Sequence, residues 1–165
     1  MAGRSRPSDE YLGQSLMVTV QIKGDEQAKQ MYEAVHKRAI EGTPFFKRAA
    51  LRMHRDVMEH FARETGPDGT WAGYSPSYLL AIKRGKAKRG HVGKKLQDTG
   101  TLRSSIQMQV LRNNARLWTK INYAQAHQEG DPSRKIPARP FMWMSDAVRS
   151  ELMREYRAFV ADGTI

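Results

Sequence analysis

"SSIQMQVLRNNARLWTKINY", residues 104–123, decides the fold class. In its first half Ile106, Met108 and Val110 alternate with Gln107 and Gln109; in its second, Leu117, Thr119 and Ile121 alternate with Trp118 and Lys120. A period of two places each set on one face of a strand. Between the halves stands Asn113-Asn114, a pair suited to the positive φ angles of a tight turn. The stretch predicts an antiparallel β-hairpin.

Working outward, "SLMVTVQIKG" at residues 15–24 alternates in the same way, with Val18, Val20 and Ile22 on one face. It predicts a third strand, ended by Gly24. Asp25 is the expected cap of a helix over residues 26–41, with Ala28, Met31, Val35 and Ala39 near one face. Thr43 as cap and Pro44 at the first helical position start a second helix. Its stripe is Phe46, Ala50, Met53, Val57 and Phe61, at spacings of four, three, four and four. Met53 and Met58 read as core filler. Ser75 and Pro76 open a short helix. Ser145 caps a last one, whose inner face is Val148, Leu152, Tyr156 and Phe159 or Val160. The expected fold is α+β: a small antiparallel sheet, the N-terminal strand plus the hairpin, packed against helices. Residues 1–15 read as a flexible arm and 16–165 as a single domain.

The formal net charge is +11, and its placement is uneven. Residues 69–128 hold 11 Lys and Arg against one acid, Asp98, whereas residues 1–68 and 129–165 are close to balance. Within the basic third, "KRGKAKRGHVGKK" at residues 83–95 has almost no apolar content and reads as a long flexible loop. Lys83, Arg84, Lys86, Lys88, Arg89, Lys94 and Lys95 are its candidates for contact with DNA or an acidic protein surface. The absence of cysteine excludes disulfides and thiolate metal sites. No apolar run approaches the ~20 residues of a membrane span, and the N-terminus lacks the apolar core of a signal peptide. The chain is expected to be soluble and intracellular at synthesis.

Catalytic signatures are thin. His54 and His60 are six apart on one helix, not at the i, i+4 spacing of a zinc pair. His91 lies in the basic loop, and Gly85, Gly90 and Gly93 follow no strand that would make a phosphate loop. Asp56 and Glu59 share a helical face but have no partner lysine on a strand. "YAQAHQEGDPSRKIPARPF", residues 123–141, is the best candidate for chemistry, through His127 with Glu129 and Asp131. The two acids stand so near Gly130 and Pro132 that turn formation is their expected role, and no nucleophile accompanies the histidine. Pro137 and Pro140 fix an extended path, and Arg139 between them presents a fork for carboxylate or carbonyl groups. Phe141, Met142 and Trp143 form an apolar patch beside it. The stretch reads as architecture.

Three segments resemble the phage virion morphogenesis (tail completion) family of Mu-like and related tailed phages. They are "FARETGPDGTWAGYSPSY", "LQDTGTLRSSI" and "YAQAHQEGDPSRKIPARPFM", in that order and spacing, spanning roughly residues 61–144. The marks are Gly69 and Trp71; Leu96, Thr99, Gly100, Leu102, Arg103 and Ile106; Tyr123, Ala124, His127, Gln128 and Gly130; and Ile136 to Phe141. The resemblance implies a structural protein without enzymatic activity or cofactor, located in the virion tail or neck and assembled in the host cytoplasm. It implies a ring, six-fold by expectation, that completes the head-proximal end of the tail and joins it to the head. The expected partners are further copies of the chain, the tail tube protein, neck or head-completion proteins and phage DNA in the lumen, with no membrane. Arg139, Phe141, Met142, Trp143, Arg103 and Trp118 are the expected contact residues. The competing reading is a basic nucleic-acid-binding protein acting on phage DNA, with Trp71, Tyr74, Tyr78 and Trp118 interleaved among the cations.

Overall fold

The computed structural model describes residues 24–85 and 94–164. The expected strand over 15–24 and the flexible arm lie outside these residues, save Gly24. So does the basic loop between residues 86 and 93. The chain is α+β. In order it forms α1 (Asp25–Ile40), α2 (Thr43–Arg63), β1 (Thr65–Gly66), β2 (Gly69–Thr70), α3 (Pro76–Lys83), α4 (Thr101–Ser104), β3 (Gln107–Val110), β4 (Ala115–Trp118), α5 (Ala124–Glu129) and α6 (Asp146–Asp162). β1 pairs with β2 and β3 with β4, both antiparallel, with Val110 opposite Ala115.

Helix α2 is the axis of the molecule, packing against β1, the β3–β4 hairpin and α6. Its N-terminal half carries Phe45 and Ala49 into one cluster with Leu152 and Phe159 of α6. Its C-terminal half carries Val57 and Phe61 into a second, with Trp71, Leu102, Ile106, Ala124 and Phe141. Phe61 and Phe141 are fully enclosed, with ring centroids 5.2 Å apart. Full burial of such a side chain contributes about 1.5–3 kcal/mol, so these two rings anchor the region that carries most of the family marks.

Several expectations shift by a residue or a face. Gly24 and Gly42 flank the first two helices in the cap positions expected of Asp25 and Thr43. Asp25 sits in the first turn instead, where its charge faces the helix dipole. The Thr43 hydroxyl donates to the Arg112 carbonyl (3.4 Å), and Arg112 pairs with Glu41 (3.0 Å). These contacts hold the hairpin tip, a loop over Leu111–Asn114 closed by Leu111 N donating to Asn114 O at 2.8 Å. Neither asparagine adopts a positive φ, because the four-residue loop needs none. Met108 is exposed although Ile106 is buried. No residue of α1 is fully buried, and Met31 stands in solvent rather than in a core. Ser75 and Ser145 cap α3 and α6 through their side chains, accepting from Tyr78 N and Val148 N, and the inner face of α6 is as its periodicity predicts.

Candidate functional site

The chain reverses at the end of α2 to bring Trp71 under the extended segment 136–143. Glu64 makes the reversal at φ 54°, a left-handed position that glycine usually takes. Its carbonyl accepts from Trp71 N (2.8 Å), and its carboxylate accepts from Lys95 N (2.6 Å) and Lys95 Nζ (2.5 Å). Burial opposes ionisation of Glu64, but the Lys95 bonds outweigh it and hold the carboxyl below its usual range. The Gln97 amide donates to Phe61 O at 2.6 Å. The segment after the basic loop is thereby pinned to the end of α2.

Around Trp71 the separated family marks fasten one another. The Trp71 indole N–H donates to Pro140 O (2.8 Å), and its ring stands edge-on to Phe61. Arg139 donates through Nε to Ala72 O and through Nη2 to Gly73 O, each at 2.9 Å, with its guanidinium over the Tyr74 ring. The Arg139 N–H donates to His127 O at 2.7 Å. Gln128 accepts from Phe141 N (3.1 Å) and Met142 N (3.0 Å) and donates to Met142 O (3.2 Å), supplying hydrogen bonds that a neighbouring strand would otherwise give. Gly130 has φ +84°, and a Cβ there would lie 2.9 Å from Ala138 N. Only glycine allows α5 and the 136–139 segment to lie that close.

A second polar set ties this segment to α2 and α6. His60 Nδ1 lies 3.1 Å from Phe141 O, its Nε2 lies 3.4 Å from Asp56 Oδ1, and its ring stacks on Trp143 at 4.1 Å. Asp56 accepts from Ser145 N and Ser145 Oγ, both at 2.8 Å. Asp56 and His60 are buried, and they interrupt the apolar face of α2 one turn apart. That interruption was the signal available in the sequence; pairing Asp56 with Glu59, and His54 with His60, missed it. Asp56, His60 and Glu64 are framework side chains that sequence reasoning did not single out, and Gln128, marked only through the family resemblance, joins them.

His127 and its acids form no catalytic set. Asp131 accepts from Ser133 Oγ (2.6 Å), Arg134 N (3.1 Å) and Arg134 Nε (2.6 Å), which holds its carboxyl down at about 2. That is turn chemistry, as expected from its neighbours. Glu129 accepts from Gln125 within α5. Burial, and then the charges of Arg139 and Arg134, push His127 below its ordinary range, and its Nδ1 is buried without a partner. Among the described residues no cluster of three or more His, Asp or Glu is placed to hold a metal.

The expected contact residues divide. Phe141 and Arg139 are 1% and 5% exposed and are satisfied within the chain. The Arg139 fork grips carbonyls of its own chain while still lining a surface groove, so Phe141 alone is corrected from a surface contact to internal framework. The physical reason is that Trp71 and Gln128 fold the segment inward. Met142 and Trp143 are half-buried, and the Trp143 indole N–H is enclosed without a partner. Arg103 is exposed, reaching Gln97 at 3.4 Å; Trp118 is half-buried with Lys120 Nζ over its ring. Of the basic candidates, Lys83, Arg84 and Lys94 are exposed, and Lys95 is committed to Glu64. Lys86, Lys88 and Arg89 lie outside the described residues.

No curated protein and no solved structure matches the chain. Among the described residues no helix is long and apolar enough to cross a membrane. The sequence profile of the phage virion morphogenesis family matches residues 24–160, a span that takes in every framework contact described above. The chain belongs to the phage virion morphogenesis family.

Proposed function

We propose that this chain is a structural, non-enzymatic virion protein that completes the head-proximal end of the phage tail and takes part in joining it to the head, as a closed, six-fold ring. The observation that carries this reading is the use made of the family marks. Trp71, Gln128, Gly130, Arg139 and Phe141 are spent on main-chain partners and on the core, not on a reaction centre. A framework of this kind holds an exposed surface in one shape, which is what a subunit repeated around a ring requires. The partners in this reading are neighbouring copies, the tail tube protein and head-completion proteins, with DNA passing through the lumen beside the cations of residues 69–128.

The test is removal of the gene from the phage, with and without complementation from a plasmid, followed by electron-microscope counts of joined particles, free tails and filled heads. The reading predicts filled heads and unjoined or abnormally long tails, restored to joined particles by complementation. Normal joined particles without the protein would overturn it. Tight DNA binding by the purified protein, steeply weakened by salt, together with normal tails, would favour the nucleic-acid reading instead.

A further inference from the structure

A groove of about 970 Å³ runs between the 72–78 segment and residues 134–139. Its walls are Tyr74 and Tyr78 on one side and Ile136 and Pro137 on the other. Arg134, Lys135, Arg139 and His127 also line it, and among the described residues no Asp or Glu does. Arg134 is paired with Asp131 beside the groove, so Lys135 and Arg139 are its unpaired cations among those residues. Arg139 lies almost wholly beneath this surface. Its Nε and Nη2 are taken by carbonyls, and among the described residues no carboxylate lies within ion-pair distance of it; Glu64, itself bonded to Lys95, acts on it only from beyond that distance. A guanidinium removed from water is normally matched by an anion.

We propose that this groove docks an acidic peptide segment of a partner protein, one carboxylate of which reaches Arg139. The charge of the groove is complementary to that occupant. The position of Arg139 also selects it: a carboxylate at the end of a short side chain can enter the groove, whereas duplex DNA presents its phosphates on a convex cylinder. Tyr78 is exposed on α3 and lines the groove, so the segment carries an apolar side chain next to its acid. Burial and the charges of Arg139 and Arg134 lower the His127 pKa, and a carboxylate docked against Arg139 raises it again. The inference rests on the assembly reading only in placing the partner within the virion.

The experiment titrates isotope-labelled full-length protein with acetyl-Leu-Asp-Leu-Asp-Leu-amide, its Asn counterpart and oligothymidylate, followed by NMR. The acidic peptide should move the His127 ring and Tyr78 resonances saturably and raise the His127 titration midpoint, with the Asn peptide at least tenfold weaker. Arg139→Met should abolish the response. Lys135→Glu, at an exposed position that leaves the framework intact, should weaken it several-fold. Equal responses to both peptides, or none at millimolar concentration, would overturn the proposal; a stronger response to oligothymidylate would reassign the groove to nucleic acid. A photo-crosslinker replacing Tyr78 in assembled phage should join to an Asp- or Glu-bearing segment. Crosslinks only to neutral or basic segments in intact virions would refute the groove and leave the virion role standing. Absence of the protein from virions, with the peptide response intact, would refute the virion role and leave the groove.

Discussion

Asp56 to Ala is the most informative single change to the framework. It removes the acceptor from Ser145 N and Ser145 Oγ, each bonded at 2.8 Å, and from His60 Nε2 at 3.4 Å. Hydrogen bonds to a charged group contribute about 1.5–3 kcal/mol each, and a buried donor left bare costs about 1–3 kcal/mol. The Ser145 hydroxyl still accepts from Val148 N, but its own proton loses its acceptor; being free to rotate, it loses less than the fixed backbone N–H does. The third contact is long and adds little. The expected loss is therefore about 3–5 kcal/mol, a large part of the ~5–15 kcal/mol of a typical domain. Asp56→Asn keeps one acceptor oxygen and should lose about half of that. The assay is urea unfolding followed by tryptophan fluorescence, since Trp143 stacks on His60 and reports the same region. A double-mutant cycle with Ser145→Ala should give a coupling of at least about 1 kcal/mol. Additive losses would show that Asp56 does not act through the α6 cap and would refute the argument.

Two further outcomes follow from the geometry around α5. The unfolded chain takes up a proton on His127 below about pH 6.5 that the folded chain, with its depressed value, resists. Stability from this group is full above that pH and is lost as the pH falls, so His127→Gln should flatten the decline in urea midpoint between pH 7 and pH 5; parallel declines would contradict it. Gly130→Ala sets a Cβ against Ala138 N at a positive φ and should lose about 1–3 kcal/mol. A loss under ~0.5 kcal/mol in the same urea assay would show that the approach of α5 to residues 136–139 is looser than described.

The elements legible in the sequence are those that carry their own local signals. The β3–β4 hairpin has its alternation, α2 its five-position stripe, α3 and α6 their serine caps. The missed elements have none. β1 and β2 are two residues each, and α4 and α5 are four and six residues long, too short to show a period or to stand without tertiary support. The site follows the same division. Two prolines around Arg139 announce a fixed fork, yet whether it faces solvent or the chain depends on Ala72 and Gly73, more than sixty residues earlier in the sequence. His60 finds its partner in the main chain of Phe141, and a backbone carbonyl leaves no residue-type signal to read. The Asn113-Asn114 pair suggested a tighter turn than forms, because contacts from Glu41 and Thr43 hold the tip of the hairpin instead.

The most direct test of the central claim is a cryo-electron-microscopy reconstruction of the neck of the intact phage, with the protein's density assigned by fitting α2, α6 and the β3–β4 hairpin. The account predicts a closed ring of copies at the head-proximal end of the tail, with Trp71, Gln128 and Arg139 inside each subunit and the groove between Tyr78 and Pro137 facing a neighbouring protein. Finding no copy of the protein in joined particles, or finding it packaged with the genome inside the head, would contradict the account.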